Sequence, residues 1–431
     1  MTMRTTRRRF LGAAVATGVG AWVWKGPHRA AAGQSANEKL NVAVVGTGGK
    51  GRGNMNTFAR TENIVALCDV DRKRLAEAGE QYPDARQYAD FRRMLEQKDI
   101  DAVVVSTPDH THAAVSLPAM ELGKHVYCEK PLANSIADSR AMAETAARTG
   151  VVTQMGNQMH ATESLRGVVE LLRAGVLGKV EKVVTACHKV LPHSGGELPT
   201  DTPPVPDHLD WDLWLGPAPE RPYHPVYHPF SWRVFWGLGS GNFADMGCHI
   251  LDAPYWGLGL RYPVRIETEG PPPHLHVAPK GMMVRYQFER EGGGTPLEVV
   301  WYDGELAPAG EVIDGVNDGV MVIGERGRLI YNFRGGATRL LPTEAFAGVE
   351  LPEPTLPRPA NHYVEWAEAC KGRGKTLSDF QYGATLTEVV LAGVLAYRVG
   401  ETLEWDGPAM RAKNCPETEA LIRPPRRKDW G

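Results

Sequence analysis

The strongest constraint on the fold is a short unit that begins near residue 40. Residues 41–45 (NVAVV) are apolar and largely β-branched, which is typical of a strand buried on both faces. Residues 46–51 (GTGGKG) match G-x-G-x-x-G, and a second apolar run, 64–68, ends at Asp69, 18 residues after Gly51. The glycine motif alone is weak evidence. A strand before it, a helix after it and an acid at this spacing together predict a dinucleotide-binding unit.

Each glycine of the motif has its own predicted task. Gly46 permits the tight turn, Gly48 lets the backbone approach a pyrophosphate, and Gly51 allows the helix to pack closely on the strand. Gly49 lies between them and is also expected to contact the cofactor. The pyrophosphate is expected at the helix N-terminus, where free N–H groups and the helix dipole favour an anion.

Asp69 is the predicted determinant of cofactor choice. Its carboxylate can accept hydrogen bonds from the adenosine ribose hydroxyls, and it would repel a 2'-phosphate, so NAD is favoured. NADP stays open as an alternative, because Arg72 can turn towards such a phosphate.

The alternation of strands and helices continues to about residue 155. Apolar strands are expected at 101–106, 125–128 and 151–155, and helices at 112–122 and 135–149. Short loops between alternating elements predict a parallel sheet with a ligand crevice at the carboxyl ends of its strands. The fold class expected for residues 33–155 is therefore an α/β Rossmann domain.

Residues 156–431 show a different pattern. Separated β runs are expected at 179–190, 263–269, 282–289, 297–302, 320–324 and 328–332, with helices at 164–174, 361–370 and 381–398. This predicts an α+β domain with a large, mainly antiparallel open sheet. A Pro-rich insert, residues 191–237, carries six Trp and Tyr residues. Their rings can stack on sugar faces or can pin a long loop by burying apolar area, and both interpretations stay open.

Three further motifs point to a family. They are T-P-x-x-x-H at 107–112, E-K-P at 129–131 and G-S-G-N-F-A-D-M-G-C-H at 239–249. With the glycine motif, and in this order, they resemble the Gfo/Idh/MocA oxidoreductases over residues 40 to 405. The resemblance implies that Lys130 is the active-site lysine beside the nicotinamide, with Asp245 and His249 around the reacting hydroxyl.

The residue types suit that chemistry. Asp245 and His249 are four apart and share one face if the segment is helical, and an imidazole titrates near neutrality, as a general base requires. Lys130 beside a cationic nicotinamide is expected to deprotonate more easily than a free lysine. Asp109 is a departure, since many family members carry Asn there.

The remaining site predictions follow from the same motifs. Further cofactor contacts are expected at Thr107, Pro108, His112 and Glu129, with Lys130 also touching the cofactor. Substrate contacts are expected at Asn157, Trp232 and Arg233, where Arg233 can bind hydroxyls or a carboxylate. No metal is expected, because neither the six cysteines nor the histidines of the insert show metal-ligand spacing.

The N-terminus reads as an export signal, residues 1–32. Arg7, Arg8 and Arg9 precede Phe10 and Leu11, and an apolar run of 14 residues, 11–24, is too short to span a bilayer. The small residues 30–32 fit an A-x-A cleavage site. The pattern resembles a twin-arginine signal, which predicts a periplasmic protein exported folded with its cofactor, and contact with a membrane only during export.

The leading functional hypothesis is hydride transfer to or from a sugar, polyol or sugar-acid hydroxyl, with NAD (NADP possible) held tightly through a redox-neutral cycle. An NAD-dependent glycoside hydrolase that oxidises, eliminates and reduces is the alternative, because it would use the same residues. A binding module without catalysis would be expected to have lost E-K-P or the Asp/His pair, and both are intact. The near balance of 48 basic and 51 acidic residues argues against nucleic acid. A homo-oligomer, dimer or tetramer, is expected.

Overall fold

The computed structural model of the protein describes residues 39–290, 292–308, 318–335, 338–349, 352–428 and 430. The predicted signal, residues 1–32, and the adjoining residues 33–38 lie outside these ranges. Within the described ranges, no helix combines the length and apolarity that crossing a membrane requires.

The first domain contains a six-stranded parallel sheet. Its strands are β1 (Asn41–Val45), β2 (Asn63–Cys68), β3 (Arg86–Tyr88), β4 (Ala102–Val105), β5 (His125–Glu129) and β6 (Thr153–Gly156). The order β3-β2-β1-β4-β5-β6 reverses direction between β1 and β4, which places the ligand crevice of a doubly wound sheet at the carboxyl ends of these two strands. The predicted Rossmann fold is thereby confirmed. Only the short and largely exposed β3 gave no apolar signal in the sequence.

Five helices cover this sheet: α1 (Gly49–Phe58), α2 (Arg72–Gln81), α3 (Phe91–Met94), α4 (His112–Glu121) and α5 (Ile136–Thr149). Local chemistry fixes where they begin and end. The Ser135 side chain accepts from the Asp138 amide at the start of α5, and Gly150 ends that helix in the left-handed conformation, with φ of 68°.

The second domain contains a nine-stranded sheet with the order β13-β12-β11-β7-β10-β9-β8-β14-β15. Its strands are β7 (Val180–Cys187), β8 (Arg265–Glu269), β9 (Met283–Phe288), β10 (Leu297–Asp303), β11 (Gly319–Gly324), β12 (Gly327–Asn332), β13 (Arg339–Leu341), β14 (Leu403–Asp406) and β15 (Arg411–Ala412). In the described ladders, β7 and β10 are parallel and the other neighbours are antiparallel. The predicted mainly antiparallel sheet is confirmed. The two- to four-residue strands β13 to β15 were too short to predict.

The helices of this domain are α6 (Glu163–Arg173), α7 (Trp211–Leu215), α8 (Gly241–Ile250), α9 (Asp252–Gly257), α10 (His362–Cys370), α11 (Phe380–Val399) and α12 (Glu419–Ile422). Two of them return to the first domain. Trp366 of α10 is fully buried, with its ring centroid 5.2 Å from that of Phe58 of α1. Glu388 of α11 pairs with Arg140 of α5. These contacts fix the second domain against α1 and α5 of the first.

Candidate active site

A cavity of about 600 Å³ opens at the carboxyl ends of β1, β2, β4 and β5. The glycine loop and Asp69 line it on one side, and residues of the 191–237 insert and of α8 line it on the other. A concave pocket of this size is where a doubly wound sheet binds its ligand.

The glycine loop has little room for side chains. Gly46 has φ of +84°, and a Cβ there would lie 2.7 Å from the Ser106 carbonyl oxygen. A Cβ on Gly51 would lie 1.8 Å from the Gly46 carbonyl oxygen, so the close packing of α1 on β1 requires glycine. Gly48 is the N-cap of α1 and provides no side-chain cap, which leaves the first amides of the helix available for an anion. Gly49 lines the cavity with φ of +50°.

Asp69 lies at the end of β2 and lines the cavity. One carboxylate oxygen accepts from the Thr47 amide at 2.8 Å, and the other accepts from the Asp71 amide at 3.0 Å. These bonds orient the carboxylate beside the glycine loop, where ribose hydroxyls of a dinucleotide would meet it.

Arg74 is a cation of the cavity that the sequence analysis did not single out, and its Nε lies 3.6 Å from the Asp71 carboxylate. Arg74 lines the cavity, and its Nη1 lies 2.6 Å from the position a Cβ on Gly48 would take. In this structure the Arg72 guanidinium donates to the Asp207 carbonyl of the insert, and its alternative role towards a 2'-phosphate stays a prediction. Both arginines lie in the first turn of α2 after its N-cap Asp71, so their positions in the sequence did not distinguish their contacts.

The T-P-x-x-x-H loop is held by its histidine. Both ring nitrogens of His112 face carbonyl oxygens, that of Pro131 at 2.8 Å and that of Thr107 at 2.9 Å. Burial lowers the pKa of His112 to about 4, although the contacts with these two carbonyl oxygens act in the opposite direction. Thr107 and Pro108 line the cavity, and the buried Thr107 hydroxyl has no partner among the described residues. A buried unpaired hydroxyl on a cavity wall is a ready ligand contact.

Glu129 is buried at the end of β5 and also lines the cavity. Its Oε1 accepts from Asn54 at 2.8 Å and from Gln158 at 2.9 Å, and Lys50 lies 3.9 Å away. Burial raises the pKa of this carboxyl despite Lys50. Glu129 therefore ties the loop after β5 to α1 and to the segment after β6.

Lys130 forms an ion pair with Asp245 of α8 across the domain boundary. Its ammonium donates to the Asp245 carboxylate at 2.8 Å and to the Asp245 main-chain carbonyl at 2.7 Å. Burial acts to lower the pKa of Lys130, but the charge and hydrogen bond of Asp245 outweigh it and raise the pKa. The contacts with Asp245 therefore favour the ammonium form of Lys130, and the expected effect of a cationic nicotinamide on its pKa stays a prediction.

Asp245 is surrounded by cations. Lys189 donates to its other carboxylate oxygen at 2.5 Å, and the Arg233 Nε donates to the first at 3.3 Å. Burial acts to raise the pKa of Asp245, but Lys130, Lys189 and Arg233 together hold it well below its usual range. Asp245 is thus a permanent anion that positions three cations and not a general base. Lys189 was missed because it follows β7 outside any motif.

His249 lies one helical turn after Asp245 on α8, and both line the cavity, as their spacing predicted. Burial and then the nearby Lys130 charge hold the pKa of His249 well below its usual range, so the imidazole is neutral. Its Nδ1 is buried without a partner among the described residues, and its ring stacks on Phe333 with centroids 5.9 Å apart. The imidazole is therefore a weaker base than the near-neutral one expected from the sequence, and in its neutral form it can still accept a proton.

Asp109 lies in the cavity wall between these groups and the cofactor loop. Burial raises its pKa to about 7, although Lys130 and Arg233 act in the opposite direction. Asp109 is consequently a cavity carboxyl that changes charge near neutral pH.

Of the three predicted substrate contacts, two lie in the cavity wall and one does not. Trp232 and Arg233 line the cavity, and the Arg233 guanidinium carbon lies 4.3 Å from the Trp232 ring centroid. Asn157 is fully buried outside the cavity lining, where it donates to Asp252 at 3.0 Å and accepts from Ser378 at 2.7 Å. The structure does not support Asn157 as a substrate contact, because it belongs to a buried polar network.

Burial of its rings fixes the aromatic insert, as one of the two interpretations expected, and stacking of the rings on a sugar stays a prediction. Tyr227 and Trp236 are buried and fix the segment, whereas Trp214 and Trp232 are buried but also present an edge to the cavity. In the described part of the chain, no group of three or more His, Cys, Asp or Glu side chains is arranged to hold a metal ion.

The cavity and its residues define a class of protein: a Rossmann-type dinucleotide-binding domain whose nucleotide cleft meets a Lys–Asp–His cluster from an α/β domain. The sequence matches the oxidoreductase family with an NAD-binding Rossmann fold over residues 40–157 and that family's C-terminal α/β domain over residues 163–431. The chain belongs to this Gfo/Idh/MocA family and carries its NAD-binding domain.

Two curated relatives and one solved structure illustrate the similarity. A levoglucosan dehydrogenase of Pseudarthrobacter phenanthrenivorans is 23% identical over 233 residues, 52% of this chain and 52% of the relative. A glycosyl hydrolase family 109 protein of Solibacter usitatus is 31% identical over 195 residues, 41% of this chain and 44% of the relative. The chain thus spans about half the length, or less, of these curated relatives. The WlbA dehydrogenase of Bordetella pertussis, solved with NADH and UDP-GlcNAcA, shares the fold with a TM-score of 0.64 and 16% identity, covering 86% of this chain and 99% of that one.

Proposed function

We propose that the protein is an NAD-dependent oxidoreductase that transfers a hydride to or from a sugar or polyol hydroxyl. The observation that carries the proposal is the juxtaposition of a lysine cation held by Asp245 and a neutral histidine in the wall of the dinucleotide cavity. The similarity to the levoglucosan dehydrogenase named above, over about half of each chain, supports sugars as the substrate class.

The residues divide the proton chemistry between them. NAD, when bound, supplies the hydride acceptor. His249 is neutral and accepts the proton of the substrate hydroxyl. Asp245 takes up two hydrogen bonds of the Lys130 ammonium, which leaves one N–H to stabilise negative charge developing on the same oxygen. In the reverse direction Lys130 polarises the carbonyl oxygen and His249 returns the proton.

The test combines turnover with cofactor binding. Lys130→Met and His249→Ala should each lower turnover by about 10²- to 10⁴-fold, the range of acid–base groups, while NADH fluorescence titration shows retained binding. Lys182→Met is the matched control, because this lysine lies on β7 and pairs with Glu298 outside the cavity lining. Normal turnover in Lys130→Met would remove the lysine from the mechanism.

A second candidate function is glycoside cleavage through a transient oxidation, favoured by the similarity to the family 109 hydrolase. It predicts the release of free aglycone from a glycoside with no net formation of NADH. Net NADH formation without cleavage across the same glycosides would favour the simple dehydrogenase.

We also propose that the cofactor stays bound through a redox-neutral cycle. The insert contributes Trp214, His228 and Phe230 to the cavity wall, and Trp430 near the C-terminus adds a further ring. At the Asp69 end of the cavity, the Trp430 ring centroid lies 6.1 Å from the Phe91 ring centroid and 4.7 Å from the Arg92 guanidinium carbon. Arg427 ties this tail to α7 by donating to Asp212 at 2.7 Å.

Retention is tested on purified protein by denaturing it and assaying the released nucleotide. Near-stoichiometric NAD(H), and faster release from Trp430→Ala, are expected. An empty protein with micromolar or weaker affinity would contradict the closed cycle. The sequence also makes residues 33–40 a candidate cover for the cofactor. Residues 33–38 lie outside the described ranges, and Leu40 is buried beside β1.

Export by the twin-arginine route and a periplasmic location are proposed from the sequence of residues 1–32 alone. Replacing Arg7, Arg8 and Arg9 with lysine keeps the charge and should leave the protein in the cytoplasmic fraction. Unchanged fractionation would refute the signal. We further propose a homo-oligomer, dimer or tetramer, which light scattering on the purified protein would measure.

A further inference from the structure

The part of the cavity around Asp245 carries more positive than negative charge. Lys130, Lys189 and Arg233 all lie within ion-pair distance of this one carboxylate, at 2.8, 2.5 and 3.3 Å. Three cations on one anion leave two positive charges uncompensated. Asp109 removes at most one of them, because burial raises its pKa to about 7.

Among the described residues, no carboxylate other than Asp245 lies within ion-pair distance of Lys130, Lys189 or Arg233. Glu129 faces Lys50 at 3.9 Å, so that pair is neutral by itself. The anion site at the start of α1 is a separate set of donors, formed by free backbone amides after Gly48. Lys189 lies outside the cavity lining with 36% of its side chain exposed, so water screens its charge, whereas Lys130 and Arg233 line the cavity and are 14% and 22% exposed. The cations that a ligand in the cavity would meet at this end are therefore Lys130 and Arg233.

Arg233 is the cation best arranged to meet an anionic group. Its Nε donates to Asp245 and its Nη1 donates to the Phe230 carbonyl at 3.0 Å, whereas its Nη2 has no hydrogen-bond partner among the described residues. The guanidinium lies over the rings of Trp232 and Phe230, at 4.3 and 4.5 Å from their centroids. Stacking of this kind holds the planar guanidinium in one orientation, so less conformational entropy is lost when the guanidinium binds an anion.

The backbone at Arg233 is fixed by a glycine of the third family motif. A Cβ on Gly239 would lie 2.6 Å from the Arg233 Cα and from its carbonyl oxygen. Gly239 begins the segment that leads into α8, the helix that carries Asp245 and His249. The guanidinium is therefore placed with reference to the same helix as the proposed proton acceptor.

From this arrangement we infer that the substrate is an anionic sugar, whose carboxylate or phosphate group binds Arg233 while its reacting hydroxyl lies between Lys130 and His249. The inference rests on the proposed oxidoreductase function and narrows it from sugars in general to those with a negative group. Lys189 contributes charge from behind Asp245, and Arg233 provides the directional hydrogen bonds. Charge-assisted bonds of this type are shorter and stronger than those to neutral hydroxyls.

The experiment uses the full-length protein with NADH bound and measures sugar affinity by calorimetry. Aldohexoses are compared with the matching uronates and the matching hexose phosphates, each at low and high ionic strength. The anionic members should bind at least about 10-fold more tightly than their neutral partners, and the difference should shrink at high salt. Preference for the uronates identifies a carboxylate as the recognised group, and preference for the phosphates identifies a phosphate.

Variants separate Arg233 from general electrostatics. Arg233→Gln should weaken anionic sugars by about 10- to 100-fold and neutral sugars by much less, with NADH affinity unchanged. Arg233→Lys keeps the charge but loses the fork, so an intermediate loss is expected. Arg173→Gln is the matched control, because Arg173 also lies over a tryptophan, Trp256 at 5.1 Å, but outside this cavity.

Two results would overturn the inference. One is equal affinity for neutral and anionic sugars, and the other is an Arg233→Gln variant that weakens both classes equally. If one of these two results is found and sugars still reduce NAD, the inference about anionic sugars fails but the proposed oxidoreductase function stands. If no sugar of the panel reduces NAD, that function fails, and the affinities still report the charge preference of the cavity.

Discussion

Replacing Gly51 with alanine should disturb the cofactor site through the backbone alone. The new Cβ would lie 1.8 Å from the Gly46 carbonyl oxygen, and an ordinary contact needs 3.4 Å, so α1 and the turn must separate by about 1.6 Å. A shift of that size disrupts the close packing of α1 on β1 and moves the free amides after Gly48. Overpacking of this kind costs about 1–3 kcal/mol.

Gly53→Ala is a matched control on the same helix. No atom lies within 4 Å of a Cβ at Gly53, and removal of a helical glycine stabilises a helix by about 0.5–1 kcal/mol. We expect Gly51→Ala to lower the melting temperature and to weaken NADH binding by about 5- to 150-fold, the equivalent of 1–3 kcal/mol. Gly53→Ala should raise the melting temperature slightly.

Thermal melting and NADH fluorescence titration measure both effects. If Gly51→Ala bound NADH as tightly as the unchanged protein, α1 would tolerate the displacement, and the close-packing explanation of the third glycine would be refuted.

Three other predictions concern charge, cofactor choice and stability. Because the pKa of Asp109 is raised to about 7, its protonated form stabilises the fold below pH 4, and this stabilisation is lost as the pH rises through 7. In thermal melts, Asp109→Asn should therefore stabilise the protein at pH 8 and have little effect at pH 4. Arg74→Gln should weaken NADP about 10-fold or more relative to NAD in binding titrations, whereas Arg72→Gln should not change the ratio. Trp366→Ala should destabilise the protein by about 3–5 kcal/mol, because the ring is fully buried between the domains. The melting temperature should fall accordingly, and an unchanged melting temperature would place α10 outside the shared core.

The local elements of the fold follow from short-range patterns. Apolar β-branched runs predicted β1, β2, β4 and β5 because a strand buried on both faces needs no polar alternation. The glycine motif predicted the turn into α1, because positive φ at Gly46 and the lack of space at Gly51 are requirements of the backbone itself. The four-residue spacing likewise placed Asp245 and His249 together in the cavity wall.

The charges of the site were decided by the tertiary structure. Asp245 meets Lys130 from 115 positions away and Lys189 from 56, and only this meeting raises the pKa of the lysine and makes Asp245 a fixed anion. Trp430 reaches the cavity in the same way, through contacts with Phe91 and Arg92. Periodicity and motif spacing report the neighbours of a residue along the chain. The pKa values and the ligand contacts depend on its neighbours in space, which folding brings together from distant segments.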